Sequence, residues 1–299
     1  MKFPRLVLVA LACSGFALEA VAGSYAVVNA VQSPAWLERA GVRMPLTPGM
    51  ELTNRDRIET GPNARAVVQL ADGSTAKVGE RAIVSVNALG KREGGVFTAA
   101  LDVATGAFRL TTNALRKLQG KRAINVRIGT VTAGIRGTDI WGRSEDERDF
   151  ICLLEGHIGV THSSGQSAEL TEPLQYFGAE RNFDPGPVDK VSQAQADKWA
   201  EMTEPQPGMG TIRQGGKWGV RLASVTTQDD ALALYDRYRD AGVHMRILPR
   251  QGEDGIRYEL LAGPVVSESD AVDLGNRLIR DLNLSETPVV RRYAALRGL

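Results

Sequence analysis

A sequence repeat near the C-terminus, with two copies 40 residues apart, limits what this chain can fold into more than any other feature. Residues 218–223 align with residues 258–263, and the alignment continues through Asp230 with Asp270. Each copy begins with an aromatic residue and alternating apolar residues, and then has a hydroxyl residue followed three positions later by a carboxylate. This order predicts a strand, a short turn and a helix that begins with a capping box.

A further β-rich run follows each predicted helix, at 243–247 and at 288–290. The repeat is therefore β-α-β twice, which predicts an α+β, ferredoxin-like βαββαβ domain with both helices on one face of four antiparallel strands. Alternation along the strands assigns one set of residues to the opposite face, which no helix covers. This outward set is Arg221, Ala223, His244, Arg246, Glu259, Leu261 and Gly263.

The segment from Lys217 to about Arg292 resembles a SPOR domain, a module that binds glycan strands of peptidoglycan lacking stem peptides. The resemblance is carried by residues 218–225, by Ala241-Gly242-Val243 and by residues 258–265. It implies that the outward set contacts glycan, with three donors, one acceptor and three positions that allow close approach. In that order they are Arg221, His244 and Arg246, then Glu259, and then Ala223, Leu261 and Gly263.

The chain departs from the SPOR pattern at three positions of its first strand. The family usually has Gln in place of Arg221, Gly in place of Ala223 and Phe in place of Val225. Arg221 and Glu259 also lie on neighbouring predicted strands, where opposite charges can pair. Such a pair would cover part of the surface that a sugar would use, so we expect an altered affinity for glycan.

The N-terminus has the pattern of an export signal over residues 1–22. Lys2 and Arg5 form a basic start, residues 6–12 an apolar centre, and residues 20–22 a small-x-small cleavage site. No other segment has the length of uninterrupted apolar residues that a membrane helix needs, so we expect a periplasmic or exported mature chain without a transmembrane segment. The alternative is a lipoprotein modified at Cys13.

Residues 23–183 predict a mainly β domain. Residues 64–70 alternate in polarity, Asp72-Gly73 gives a hairpin turn, and the chain returns as a strand at 75–78. Further short β-rich runs separated by turn residues are typical of an antiparallel sandwich or roll. We expect one brief helix in this region, at Asn113 to Leu118.

This β region resembles the FecR domain, a periplasmic module known from iron-uptake signalling. The matching residues are 48–52, 56–60, 72–74, 136–138, 155–156 and 158–160. We interpret them as folding determinants, with Gly73 and Gly156 at positive φ and Gly137 at a close approach of two strands. The resemblance implies an extracytoplasmic β domain that contacts a partner protein or the envelope. Family members that control sigma factors cross the inner membrane, which this sequence does not predict.

Residues 184–216 separate this FecR-like domain (23–183) from the SPOR-like domain (217–295). Residues 188–202 predict an amphipathic helix with Val191, Ala194, Gln195 and Lys198 at helical intervals. The Pro- and Gly-rich stretch that follows predicts a linker that lets the two domains reorient.

Catalytic, metal and cofactor chemistry has no recognisable pattern in this sequence. It contains no nucleophile elbow, phosphate-binding loop or Walker-type glycine run. His157 and His162 have opposite parity on one predicted strand, so they should not share a metal. Cys152 lies in an apolar run and is expected to be a buried small hydrophobe rather than a nucleophile. With 36 basic and 35 acidic residues, the chain also lacks the charge excess of a nucleic-acid-binding protein.

Two functional hypotheses follow from these patterns. In the first, the chain is a non-enzymatic peptidoglycan-binding protein, and denuded glycan at division sites would concentrate it there. In the second, it is a signalling or structural adaptor whose β domain binds an envelope protein, while the C-terminal domain binds no glycan. An RNA-binding use of the same open sheet is disfavoured, because Arg221 and Glu259 stand where stacking aromatic residues would be needed.

Overall fold

The computed structural model describes residues 24–112, 122–284 and 287–292. Within these residues the N-terminal region is built largely of strands, and the C-terminal region combines a four-stranded sheet with two helices. The predicted signal segment 1–22 and the helix expected at Asn113 to Leu118 lie outside the described residues.

The strands of the N-terminal region form a connected 17-stranded hydrogen-bonded assembly. In chain order they are β1 (Ala26–Gln32), β2 (Ala35–Arg39), β3 (Val42–Pro45), β4 (Arg57–Thr60), β5 (Arg65–Leu70), β6 (Thr75–Val78), β7 (Ile83–Lys91), β8 (Phe97–Thr111), β9 (Arg122–Ile128), β10 (Val131–Ile135), β11 (Asp139–Ser144), β12 (Arg148–Glu155), β13 (Ile158–His162), β14 (Ser167–Leu170), β15 (Gln175–Glu180), β16 (Asp189–Lys190) and β17 (Ile212–Arg213).

The long strand β8 belongs to two layers. Its first part pairs with β7 and, in parallel, with β9, whereas its last part pairs with β6 and β11. The change of layer occurs at Gly106, which has φ +87° and a Cα so close to Ala82 that an added Cβ would lie 2.4 Å from the Ala82 Cβ. The apolar core of this region contains side chains from both layers, including Val28 and Ile151 from one and Ile58 and Val126 from the other.

The residues that carry the FecR resemblance hold turns and strand ends in place. Gly73 and Gly156 have φ of +86° and +98°, as expected, and Asp72 accepts hydrogen bonds from the amide and hydroxyl of Ser74. A Cβ on Gly156 would lie 2.7 Å from the carbonyl oxygen of Gly137, so the two segments meet closely. These contacts support the structural interpretation of the motif residues.

Asp56 is a buried carboxylate held by charge-assisted hydrogen bonds. The Nε of Arg39 donates to its Oδ1 at 2.8 Å, and both Arg39 Nη2 (2.6 Å) and the Thr53 amide (2.7 Å) donate to its Oδ2. Burial by itself would raise the pKa of Asp56, but the hydrogen bonds from Arg39 and Thr53 outweigh it and lower the pKa below its ordinary value. The ionised form therefore stabilises the strand junction before β4.

Helix α1 (Gln193–Glu201) covers the outer surface of the N-terminal sheet. Its Trp199 stacks on Trp141 with ring centroids 5.0 Å apart and also contacts Phe150 at 4.9 Å. The prediction of a helix over 188–202 was too long, and the predicted face was wrong. The side of α1 that faces the sheet is formed by Ala196 and Trp199. Trp199 lies on this side because it packs against the buried rings of Trp141 and Phe150.

The segment after α1 does not form the free linker that its proline and glycine content predicted. Strand β17 pairs with β1, with Val31 opposite Ile212, and the Ile212 side chain is buried in the core of the C-terminal region. A Cβ on Gly210 would lie 2.4 Å from the Cα of Leu274. The connection is therefore packed against both parts of the molecule, since its apolar residue and its glycine allow close contact.

The C-terminal region has the element order β-α-β-β-α-β that the sequence repeat predicts. Its elements are β18 (Trp218–Val225), α2 (Gln228–Asp240), β19 (Met245–Gly252), β20 (Gly255–Val265), α3 (Glu268–Leu282) and β21 (Val289–Arg292). The strands are antiparallel in the order β19-β20-β18-β21. Thr227 and Ser267 cap the two helices, and Asp270 completes the predicted capping box at α3. The core lies between the helices and the sheet.

The helix side of this region contacts the N-terminal region around Ser33. Arg277 of α3 is 3% exposed and donates hydrogen bonds to the Ser33 carbonyl and, at 3.0 Å, to the Ser33 hydroxyl. The Gly242 carbonyl accepts from the Ala35 amide at 3.2 Å, and a Cβ on Gly242 would lie 2.6 Å from the Trp36 ring. Burial lowers the pKa of Arg277, so its charge depends on these hydrogen bonds for compensation.

We predict that Asp56→Asn lowers the free energy of unfolding by about 1–3 kcal/mol at pH 7, because it removes the charge from a buried hydrogen-bonded site. The pKa of Asp56 is lowered in the folded state, so its contribution is complete above the unfolded value of about 3.8 and is lost as pH falls through the folded value. Urea unfolding at several pH values should show the two proteins converging at acidic pH. A difference that grows on acidification would contradict this account.

We predict that Arg277→Ala weakens the contact between the two regions, so that a larger fraction of molecules is separated with each region still folded, because it removes both hydrogen bonds to Ser33 at the interface. Small-angle scattering should show a larger radius of gyration, and protease cleavage within 204–211 should accelerate at least tenfold. Far-UV circular dichroism should remain unchanged. The control is Arg280→Ala, which removes an exposed arginine from the same helix. Equal scattering curves for both variants would show that Arg277 does not hold the interface.

Candidate functional site on the open sheet face

The C-terminal sheet has one face that is not covered by α2 or α3, here called the open face. The cross-strand register places Arg246, Leu261, Arg221 and Val289 in one row across β19, β20, β18 and β21. The next rows place Leu248, Glu259 and Ser224 together, and then Arg250 opposite Arg257. At the other end of the sheet, Gly219 lies opposite Arg291. Paired residues on neighbouring strands project to the same face, so these residues form one surface.

Ala223 does not belong to the open face, and its assignment there was wrong. A bulge between Arg221 and Ala223 shifts the register, so that Ala223 pairs with Leu260 rather than with an outward residue. Ala223 is 7% exposed and lies in the apolar core with Leu260. A bulge inserts one extra residue, and with a side-chain period of two this moves every later residue to the opposite face. Ser224 takes the outward position instead.

The centre of the open face is an ion pair. Arg221 Nη1 donates to Glu259 Oε1 at 3.0 Å, as the sequence pattern suggested, and Arg250 Nε lies 3.7 Å from the other oxygen of the same carboxylate. The Arg221 and Glu259 side chains are 26% and 15% exposed, whereas that of Arg250 is 46% exposed. Glu259 therefore fixes the direction of Arg221 and leaves part of its guanidinium accessible.

Leu261 is only 3% exposed although neither helix covers its face. Its cross-strand neighbours are Arg221 on one side and Arg246 on the other. Long arginine side chains can lie along apolar surface while the guanidinium remains in solvent, and we attribute the burial of Leu261 to these two stems. Leu261 thus supports the arginines and is poorly placed to touch a ligand itself.

His244 and Gly263 lie at the border of the open face. His244 directly precedes β19 and is half-buried, and burial, together with the charge of Arg246, lowers its pKa. The neutral form of its imidazole is therefore favoured at pH 7. Gly263 is buried and has φ +128°, at an irregularity where one residue of β18, Gly219, lies opposite two of β20, Gly263 and Pro264. Only a residue without a side chain adopts this conformation readily, so Gly263 permits the bulge in β20.

Sequence inspection missed Arg250, Arg257 and Arg291 as members of the open face. The alternation of side chains could have identified two of them. Arg250 is four residues after Arg246 and Arg257 is two residues before Glu259, so each projects to the same face as a residue already assigned to the open face. The first of these strands was expected to end near residue 247 and the second to begin at residue 258, but β19 continues to Gly252 and β20 begins at Gly255. The longer hairpin adds arginines that a shorter one would leave in a loop.

The contacts between the two regions of the molecule run through the side opposite to the open face. They involve Arg277 of α3, Gly242 after α2 and the packing of α2 against β3. Arg277 and Leu274, which Gly210 contacts, lie on α3, and Gly242 directly follows α2, so these contacts are made by the helical side of the domain. The N-terminal region therefore docks on the helical layer, and the open face points away from the docked surface.

The other candidate reactive groups do not converge. His157 pairs with Glu169 at 2.6 Å, and His162 bonds to the Ser164 hydroxyl at 2.8 Å. Within residues 24–112, 122–284 and 287–292, no group of three or more His, Cys, Asp or Glu side chains could hold a metal ion. None of the helices in this described part of the chain has the length and apolar character needed to cross a bilayer.

Comparison with known families gives two separate matches. The FecR protein model matches residues 56–159, and the SPOR domain model matches residues 214–289. The chain joins a FecR region to a SPOR domain. The open face described above belongs to the SPOR domain, and the buried Asp56 begins the FecR match. None of the curated proteins compared with the chain matches it.

Two solved structures of a protein from Parabacteroides distasonis ATCC 8503, provisionally described as an anti-sigma factor, are similar to the chain. They are 12% and 14% identical to it, and the alignments cover 80% and 79% of this chain and 99% and 97% of those chains. Both give a TM-score of 0.39, which is too low to support an argument about fold or function.

Cys152, the buried thiol of the FecR region, should be unreactive in the folded protein. It is fully buried, and burial raises its pKa to about 12, so the nucleophilic thiolate is scarce at pH 8. We predict negligible labelling of Cys152 by iodoacetamide at pH 8 until the protein is unfolded in guanidinium. A Cys152→Ala/Ser163→Cys variant, with its thiol in an exposed turn, should be labelled at once. Rapid labelling of native Cys152 would contradict the buried assignment.

Proposed function

We propose that this protein is a non-enzymatic, exported envelope protein whose SPOR domain binds peptidoglycan glycan strands that lack stem peptides. The observation that carries the proposal is the orientation of the SPOR domain. Its helical layer is used for docking to the FecR region, and its open face is turned away from that contact. The match of residues 214–289 to the SPOR domain model supplies the ligand class. The ferredoxin-like arrangement proposed for this domain provides a platform on which an extended polymer can lie.

Within this proposal, four residues of the open face are placed to contact glycan. Arg221 and Arg246 act as hydrogen-bond donors, Glu259 acts as an acceptor, and the backbone at Gly263 allows close approach. Neutral His244 lies at the border and can donate or accept one hydrogen bond. Ala223 is excluded because the bulge of β18 turns it into the core.

For the FecR region we propose contacts with a partner protein or another envelope component. Its resemblance residues are engaged in holding the fold, as shown for Asp56 and Gly156, so the binding surface must lie elsewhere on the two-layer β structure. This region supports the second candidate function, an envelope adaptor without glycan binding. The observation that favours the adaptor is the Arg221–Glu259 pair, which occupies the centre of the open face.

Sedimentation with purified sacculi tests the proposed function. We expect the protein to cosediment with sacculi, and the bound fraction to rise after the stem peptides are removed with an amidase. Arg221→Glu should weaken binding at least tenfold, because it replaces the central donor with a second carboxylate beside Glu259. Arg221→Gln, which carries the residue usual in the SPOR family, keeps a hydrogen-bond donor and adds no negative charge, so it should lose less binding than Arg221→Glu.

The matched control is Arg280→Glu, which makes the same charge change on the helical side of the domain. It should bind as the unchanged protein does, and circular dichroism should show that each variant is folded. Equal, negligible sedimentation of every protein with treated and untreated sacculi would leave only the adaptor function.

A further inference from the structure

The open face carries a strong excess of positive charge in a chain that is nearly neutral. Its outward strand positions include five arginines and a single carboxylate, Glu259. The arginines are Arg221, Arg246, Arg250, Arg257 and Arg291. The chain as a whole has a net charge of +1, so charge is segregated onto this face. The acidic residues Glu253 and Asp254 lie in the turn between β19 and β20, outside the open face.

The chemistry of this face favours ionic recognition over stacking. None of the outward positions named above carries an aromatic ring, and the nearby Tyr258 packs against the helix-side core. A guanidinium matches the two oxygens of a carboxylate and binds them in a bidentate manner. Arg221 is already oriented by Glu259 at 3.0 Å, which reduces the entropy that a ligand must overcome to engage it.

The spacing of the arginines suits a polymer with regularly placed charges. Arg246 and Arg221 lie on either side of Leu261, on strands that are two positions apart in the sheet. Two strand spacings amount to about 10 Å, which is comparable with the length of a disaccharide. A glycan that lies across the strands would therefore present equivalent groups of successive disaccharides to Arg246 and Arg221.

Peptidoglycan has one such group in each disaccharide. The lactyl carboxyl of muramic acid is joined to the stem peptide as an amide, and it becomes a free carboxylate when the peptide is removed. An amidase thus converts a glycan chain whose lactyl groups are neutral amides into one with a carboxylate on every disaccharide. We propose that the open face recognises these lactyl carboxylates, with Arg221, Arg246 and Arg250 as the principal contacts. This inference rests on the proposed function, and it names the chemical group by which denuded glycan is distinguished.

The test compares amidase-treated glycan with the same glycan after its carboxyl groups are coupled to ethanolamine with a carbodiimide, which leaves neutral amides. Binding of the mature protein should fall at least tenfold on capping. Binding to uncapped glycan should also weaken as salt rises from 50 to about 300 mM, because exposed charges are screened. Arg246→Gln and Arg250→Gln should each weaken binding several-fold and reduce its salt dependence, whereas Arg239→Gln on the helical side should do neither.

The possible results distinguish recognition of the lactyl carboxylate from glycan binding itself. Undiminished binding to capped glycan would overturn carboxylate recognition and leave glycan binding intact. Absence of binding to both forms would overturn the proposed function itself. Equally tight binding to vesicles rich in phosphatidylglycerol would show that the face attracts any anionic surface, and would overturn recognition of the lactyl group.

Discussion

The contact between Arg277 and Ser33 is the interaction on which the functional geometry depends. It is a buried cation that is compensated by a backbone carbonyl and a hydroxyl. Together with the close approach of Gly242 to Trp36, it fixes the helical layer of the SPOR domain against the FecR region. A sheet with helices on one side has only two faces, so docking through the helices leaves the strand face for a ligand.

The connection between the regions strengthens this arrangement in a way that its composition does not suggest. Prolines and glycines are usual in flexible linkers, yet here a glycine permits contact with α3 and Ile212 joins the SPOR core while its backbone pairs with β1. The same short strand therefore belongs to both regions. Separating them would expose Ile212 and leave Arg277 without its partners, and each of these effects opposes separation.

Local register decides which residues a ligand would meet. The bulge after Arg221 buries Ala223 and turns Ser224 outward, and the long hairpin of β19 and β20 brings Arg250 and Arg257 onto the surface. Burial of Leu261 between Arg221 and Arg246 holds the two cations on either side of an apolar residue. The result is a basic surface with one internal carboxylate, which is suited to an extended anionic polymer more than to a neutral one.

The 40-residue repeat, its caps at Thr227 and Ser267 and the alternation of apolar residues were sufficient to predict the element order of the SPOR domain, because these signals are local and periodic. The turn glycines of the FecR region were predictable for the same reason. The position of Ala223, the length of the β19–β20 hairpin and the face of α1 were not, since bulges and docking depend on partners distant in sequence. The partner of Arg277 lies 244 residues away, and only the tertiary structure could show that the helical side contacts the FecR region while Arg246, Arg250 and Arg257 of the open face are exposed.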